Sequence, residues 1–110
     1  MIVEVVGGAE EHPEVRVVDV DDLGRLHLAL GEVTDEEADA ALRAAGLGRL
    51  EDAETGLLDT EALRAAARQR GSGEDWERRF ADMVDFAREK GWTDDGGTTL
   101  KVHVESAAGA

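Results

Sequence analysis

The sequence predicts an α+β domain in which a mostly antiparallel sheet of about four strands is covered on one face by three helices. Three observations lead to this fold class. The first thirty residues contain three aliphatic, β-branched runs separated by turn-forming residues. The middle of the chain shows helical periodicity with capping residues, and one further β-type run stands near the carboxyl end.

The amino-terminal strands are predicted over 2–6, 15–20 and 25–30. The links between them are short and rich in glycine, proline and aspartate, so we expect consecutive strands to pair antiparallel as a meander. A fourth strand over 99–105 is expected to complete the sheet beside one of these three.

Two helices are predicted in the middle of the chain. The first begins after an N-cap at Thr34, with a glutamate three residues later to complete a capping box, and ends at Gly46. The second is capped by Asp59 or Thr60. The segment 48–58 between them is consistent with either a small hairpin or a loop.

The third helix is predicted to supply the aromatic part of the core. Ser72 is its expected cap and Gly91 its end, after which Trp92 can fold back on the helix. Its apolar residues recur at helical spacing and form one stripe: Trp76, Phe80, Met83, Val84 and Ala87.

The length of 110 residues predicts one core and one domain. We assign this domain to 1–105 and expect a disordered tail over 106–110. No cysteine is present, so disulfides, thiolate zinc sites and a cysteine nucleophile are excluded. The amino terminus lacks the basic and apolar regions of a signal peptide, and no apolar run reaches transmembrane length, which predicts a soluble cytoplasmic protein.

The charge is strongly acidic, because 26 Asp and Glu residues stand against 12 Lys and Arg residues, for a formal net charge of -14. Such a surface repels nucleic acids and anionic membranes, so neither is expected as a partner, whereas basic proteins or cations are favoured. Acidic clusters at 35–39 and 51–54 are interpreted as solvated faces, or else as a carboxylate surface for a basic partner.

The carboxy-terminal third shows a family resemblance. Its pattern of Trp76, Phe80, Met83, Ala87, Gly91-Trp92 and Val102-His103-Val104-Glu105 resembles an uncharacterised group of small acidic bacterial proteins from high-GC genomes. The resemblance implies a shared fold. It implies no activity and transfers no catalytic residue.

The chemistry-bearing residues of this sequence lie on two predicted strands. Alternation places His27 of one strand and His103 of the other opposite the core-facing leucines and valines. If these strands are neighbours, one sheet surface carries Arg25, His27, Lys101, His103 and Glu105. His27 and His103 are then candidate metal ligands or, with Glu105, acid/base residues, and Arg25 or Lys101 is a candidate for anion recognition. The competing interpretation is an ordinary polar sheet face.

The leading functional hypothesis is a non-enzymatic accessory or protein-interaction domain that binds a protein partner or a second copy of itself, because no catalytic set is complete and no cofactor motif is present. One alternative is a small enzyme or metal- or ligand-binding protein that uses His27 and His103. A second alternative is an acidic mimic of a polyanion, which would bind its partner with steep salt dependence.

Overall fold

A computed structural model describes residues 1–7, 13–70, 75–94 and 96–106 of the chain. The expected N-cap Ser72 lies outside the described residues, as do 107–110 of the predicted tail. The elements in chain order are β1 (Ile2–Val6), β2 (Glu14–Val18), a 3₁₀ turn (Leu23–Arg25), β3 (His27–Gly31), α1 (Asp35–Ala44), β4 (Gly48–Leu50), β5 (Thr55–Asp59), α2 (Thr60–Arg68), α3 (Asp75–Glu89) and β6 (Thr99–Ser106). None of the helices described is long and apolar enough to cross a bilayer.

The α+β class with three helices is confirmed, but the predicted sheet of about four mostly antiparallel strands is wrong. Six strands form one mixed sheet in the order β2-β1-β3-β6-β5-β4. Pairing is parallel between β1 and β3 and between β3 and β6, and antiparallel elsewhere.

The amino-terminal meander fails because β1 lies between β2 and β3. The strands β2 and β3 do run in opposite directions, as a meander requires, but β3 pairs with the far side of β1. Their link must therefore span two inter-strand spacings, about 10 Å. It packs two apolar side chains into the core on the way, since Val20 is 5% and Leu23 9% exposed. A link that buries apolar side chains is not a surface turn, and its composition alone did not reveal this.

The segment left open between hairpin and loop is a hairpin. In it β4 pairs antiparallel with β5, and β5 then pairs with β6. This hairpin supplies the two strands that the prediction of about four omitted. The last strand runs through Ser106, the first residue of the predicted tail.

Both predicted ends of the first helix and the predicted cap of the second are confirmed. Thr34 and Glu37 form the full capping box of α1, and the amide of Leu47 donates to the carbonyl of Leu42 at 3.1 Å beyond Gly46, which adopts φ +73°. Asp59, not Thr60, caps α2 by accepting from the amide of Ala62.

The core lies on one face of the sheet. Register places the side chains of Val3, Leu28, Val104 and Val102 on the same surface, and the buried residues of α1, α2 and α3 join them in one cluster. The opposite surface, which we call the outer face, carries the alternate strand residues and is polar towards β6.

Candidate functional site: an aromatic cleft and the outer face

The two histidines are brought together on the outer face. In the parallel pair of β3 and β6, His27 is the register partner of His103, so their Cα atoms are about 5 Å apart. Lys101 and Glu105 lie on the same side of β6 by strand alternation. The structure therefore places His27, His103, Lys101 and Glu105 on one surface. Arg25, which the sequence prediction put on the same strand face, lies instead in the 3₁₀ turn, because β3 begins only at His27.

Both ring nitrogens of His27 are already occupied. Nδ1 lies 2.9 Å from the carbonyl oxygen of Arg25, and Nε2 lies 3.2 Å from a carboxylate oxygen of Glu105. Both neighbours are hydrogen-bond acceptors, and each lies within hydrogen-bond distance of a nitrogen that a metal ion or a substrate proton would have to reach. This geometry favours a structural role for His27, and the side chain of His103 makes no hydrogen bond to the other described residues.

The metal hypothesis gains no support from the donors present. Across the described ranges, no group of three or more His, Asp or Glu side chains is arranged to hold a metal ion. The roles proposed for His27, His103 and Glu105, and those proposed for Arg25 and Lys101 with anions, stay predictions.

The acidic clusters contribute to local structure. Asp39 accepts from the amide of Leu50 at 2.9 Å and from Arg43 at 2.8 Å, which joins α1 to β4. The hydrogen bond from the backbone amide of Leu50 is the main cause that lowers the pKa of Asp39, and the hydrogen bond from the Arg43 side chain is the second. Asp52 closes its own turn by accepting from the amide of Glu54. Several of these carboxylates therefore stabilise the fold, and mimicry of a polyanion stays a prediction.

A cleft of about 470 Å³ lies between α3, the 3₁₀ turn and the first half of β6. Its walls are mainly apolar and include Leu26, Met83, Phe86, Trp92 and Val102. The sequence prediction did not single out this cleft, because its residues come from four separate parts of the chain.

Two aromatic side chains stand at the mouth of the cleft. Phe86 is 51% and Trp92 47% exposed, and their rings meet edge to face with centroids 5.9 Å apart. They are the only large hydrophobic side chains in the described part of the chain to be this exposed. Lys90 adds a cation over the Phe86 ring, 5.4 Å from its centroid.

The end of α3 explains how Trp92 reaches this position. Gly91 adopts φ +79°, and the amide of Trp92 donates to the carbonyl of Ala87 at 2.8 Å, as in a Schellman motif. This motif commonly pairs the residue after the glycine with one in the last helical turn, and here the pair is Trp92 with Phe86. The predicted fold-back of Trp92 is thus observed, whereas Phe86 was missed because it lies off the core stripe of α3.

A second hollow, of about 440 Å³, opens towards the outer face, and we call it the outer lobe. It shares with the cleft the residues Gly24, Leu26, Trp92, Lys101 and Val102. Its own lining includes Glu54, Thr55 and His103. Cleft and outer lobe together form one groove past Trp92.

Comparison with known proteins gave no match of any kind: no protein-family model, no curated protein and no solved structure resembles the chain significantly. The resemblance to small acidic bacterial proteins therefore stays a prediction.

Proposed function

We propose that this chain is a non-enzymatic protein-interaction domain and that the cleft beneath Phe86 and Trp92 is its docking surface. The observation that carries the proposal is the pair of half-exposed aromatic rings at the mouth of an apolar cleft. Aromatic residues are enriched at protein interfaces, where they act as anchors.

The aromatic content of the chain strengthens this argument. The sequence has two Trp, two Phe and no Tyr. Trp76 and Phe80 are each 2% exposed and stack in the core, so the other two aromatic residues are both placed at the cleft. A large aromatic ring that is half exposed to water lacks roughly 1 kcal/mol of the hydrophobic free energy that full burial would give. A binding partner would recover this free energy.

The test is an affinity capture from the native lysate at low and high salt. Wild type is compared with Phe86→Ser and Trp92→Ser, and His27→Ala serves as the matched control on the outer face. We expect wild type and the histidine variant to retain the same stoichiometric partner and both cleft variants to lose it. Equal retention by the cleft variants, or no partner at either salt concentration, would contradict the proposal. Circular dichroism confirms that each variant is folded.

A second candidate function, small-ligand binding, is favoured by the lining of the outer lobe. Lys101, His103 and Thr55 bring a cation, an imidazole and a hydroxyl beside the Trp92 ring. Such a set suits a small aromatic anion. Titration of labelled protein with benzoate, followed by the amide signals of β6, tests it, and unchanged signals at millimolar benzoate would exclude it.

A further inference from the structure

We infer that the occupant of the cleft is an extended segment of a basic partner protein, which inserts one large apolar side chain beside Phe86 and Trp92 and places cationic side chains against Asp82 and Glu54. This inference rests on the proposed function and deepens it by naming the chemistry of the partner.

The shape of the groove favours an extended segment. The strand β6 begins at Thr99, but its neighbour β3 begins only at His27, opposite His103. The first half of β6 is therefore without β3 beside it, and Lys101 donates its amide to the carbonyl of Trp92 instead, at 2.7 Å. Thr93 also bridges to Leu100, so residues 92–94 pair with the first half of β6 on the side that β3 leaves. The cleft and the outer lobe meet along this segment, since both are lined by Gly24, Leu26, Trp92, Lys101 and Val102. A continuous groove of this kind fits several consecutive residues better than one compact molecule.

The charges at the ends of the groove favour cationic side chains. Asp82 lines the cleft and Glu54 lines the outer lobe, and neither carboxylate forms an ion pair within the described ranges. The cation Arg79, by contrast, is already bonded to the carboxylate of Asp21 at 3.1 Å. Lys101 stands between the two ends, where the groove is shared. Each of the two hollows thus offers one carboxylate without an ion pair among the described residues, and apolar walls and the shared Lys101 accompany these carboxylates.

The charge of the whole molecule selects among partners. A formal net charge of -14 attracts a basic protein from a distance and repels both an acidic protein and a second copy of this chain. Charge complementarity therefore selects a basic heterologous partner over self-association through the cleft.

The test uses two synthetic peptides with one apolar centre and opposite end charges: lysine–serine–leucine–phenylalanine–leucine–serine–lysine, and its counterpart with glutamate in place of lysine. The chain has two indoles, and that of Trp76 is buried and donates to the carbonyl of Val20 at 2.8 Å, so its NMR signal is an internal reference. The indole signal of Trp92 reports occupancy of the groove.

We expect the lysine peptide to shift the Trp92 signal without shifting that of Trp76, and to bind at least about tenfold more tightly than the glutamate peptide. Asp82→Asn and Glu54→Gln should each weaken binding about two- to fivefold at low salt, because each removes one exposed ion pair. Glu36→Gln, an equal loss of charge on α1, should have no effect. Phe86→Ser should abolish the Trp92 shift.

Several results would overturn this inference: equal binding of both peptides, no shift at millimolar lysine peptide, or a dimer in sedimentation that Phe86→Ser dissociates. Each leaves the proposed function standing if the captured partner still depends on Phe86 and Trp92. Loss of that dependence refutes the proposed function itself, so the two failures are distinguishable.

Discussion

Replacing Trp76 by phenylalanine removes the indole N–H that donates to the carbonyl of Val20, a buried bond of 2.8 Å between residues 56 positions apart. Phenylalanine cannot replace this donor, so the Val20 carbonyl is left without its partner in the core. Losing such a bond and orphaning its acceptor costs about 1–3 kcal/mol. The bond ties α3 to the link between β2 and β3.

The change also removes about three heavy atoms from a side chain that is 2% exposed and stacked on Phe80 at 5.3 Å. At roughly 0.8 kcal/mol for each buried carbon, this adds about 2 kcal/mol. The total expected loss of unfolding free energy is about 3–5 kcal/mol, a large fraction of the 5–15 kcal/mol typical of a domain.

Trp92→Phe is the matched control, because the same chemical change is made at a side chain that is 47% exposed. We expect it to cost about 1 kcal/mol or less. Urea unfolding followed by the fluorescence of the remaining tryptophan measures both losses. The buried Trp76 should emit at shorter wavelength than the exposed Trp92. A difference of less than about 1 kcal/mol between the two variants would refute the reasoning.

Three further predictions concern single contacts. Asp39→Ala should lower the free energy of unfolding by about 1–2 kcal/mol at pH 7. Because the pKa of Asp39 is lowered in the folded state, this stabilisation is present above the unfolded pKa near 4 and is lost as the pH falls, so the urea midpoints of mutant and wild type should converge towards pH 2. Glu32→Gly should raise the melting temperature by a few degrees, because Glu32 has φ +55° and glycine relieves about 1 kcal/mol of backbone strain there. A lower melting temperature would contradict this prediction. Asp59→Ala should cost about 1 kcal/mol of stability by removing the cap of α2, whereas Thr60→Val should cost nothing, since the buried Thr60 hydroxyl has no partner among the described residues. Equal losses in thermal melts would contradict the assignment of Asp59 as the cap.

The sequence predicted which sheet face carries the two histidines, but not the hydrogen-bond contacts that they make. Alternation along two strands was enough to place His27 and His103 on the same side of a sheet, and the register of β3 with β6 made them neighbours. The occupation of both His27 nitrogens was not predictable, because it depends on the position of Glu105 across the strand pair and on the turn that presents the Arg25 carbonyl.

The aromatic cleft shows the same limit more clearly. The glycine followed by Trp92 indicated the fold-back at the end of α3, since the left-handed glycine is a local requirement of the helix end. The position of Phe86, six residues before Trp92 and outside the core stripe, was a local signal from which their contact could have been predicted. The opposite wall, with Leu26 from the segment before β3, could not be inferred from local spacing.

Local interactions determined the three helices and four of the six strands, and the sequence was sufficient to predict these elements. Caps, helix ends and strand alternation depend on residues within a few positions of one another, so the boundaries at Thr34, Gly46 and Gly91 follow from side chains beside them. Net charge and the absence of cysteine are likewise properties of composition. Strand order and the groove required the tertiary structure, because they depend on which apolar surfaces are buried together at long sequence separation. The insertion of β1 between β2 and β3 is favoured by burial of Val20 and Leu23 from their link. The register of β3 leaves the first half of β6 to pair with residues 92–94, which are far from β3 in sequence.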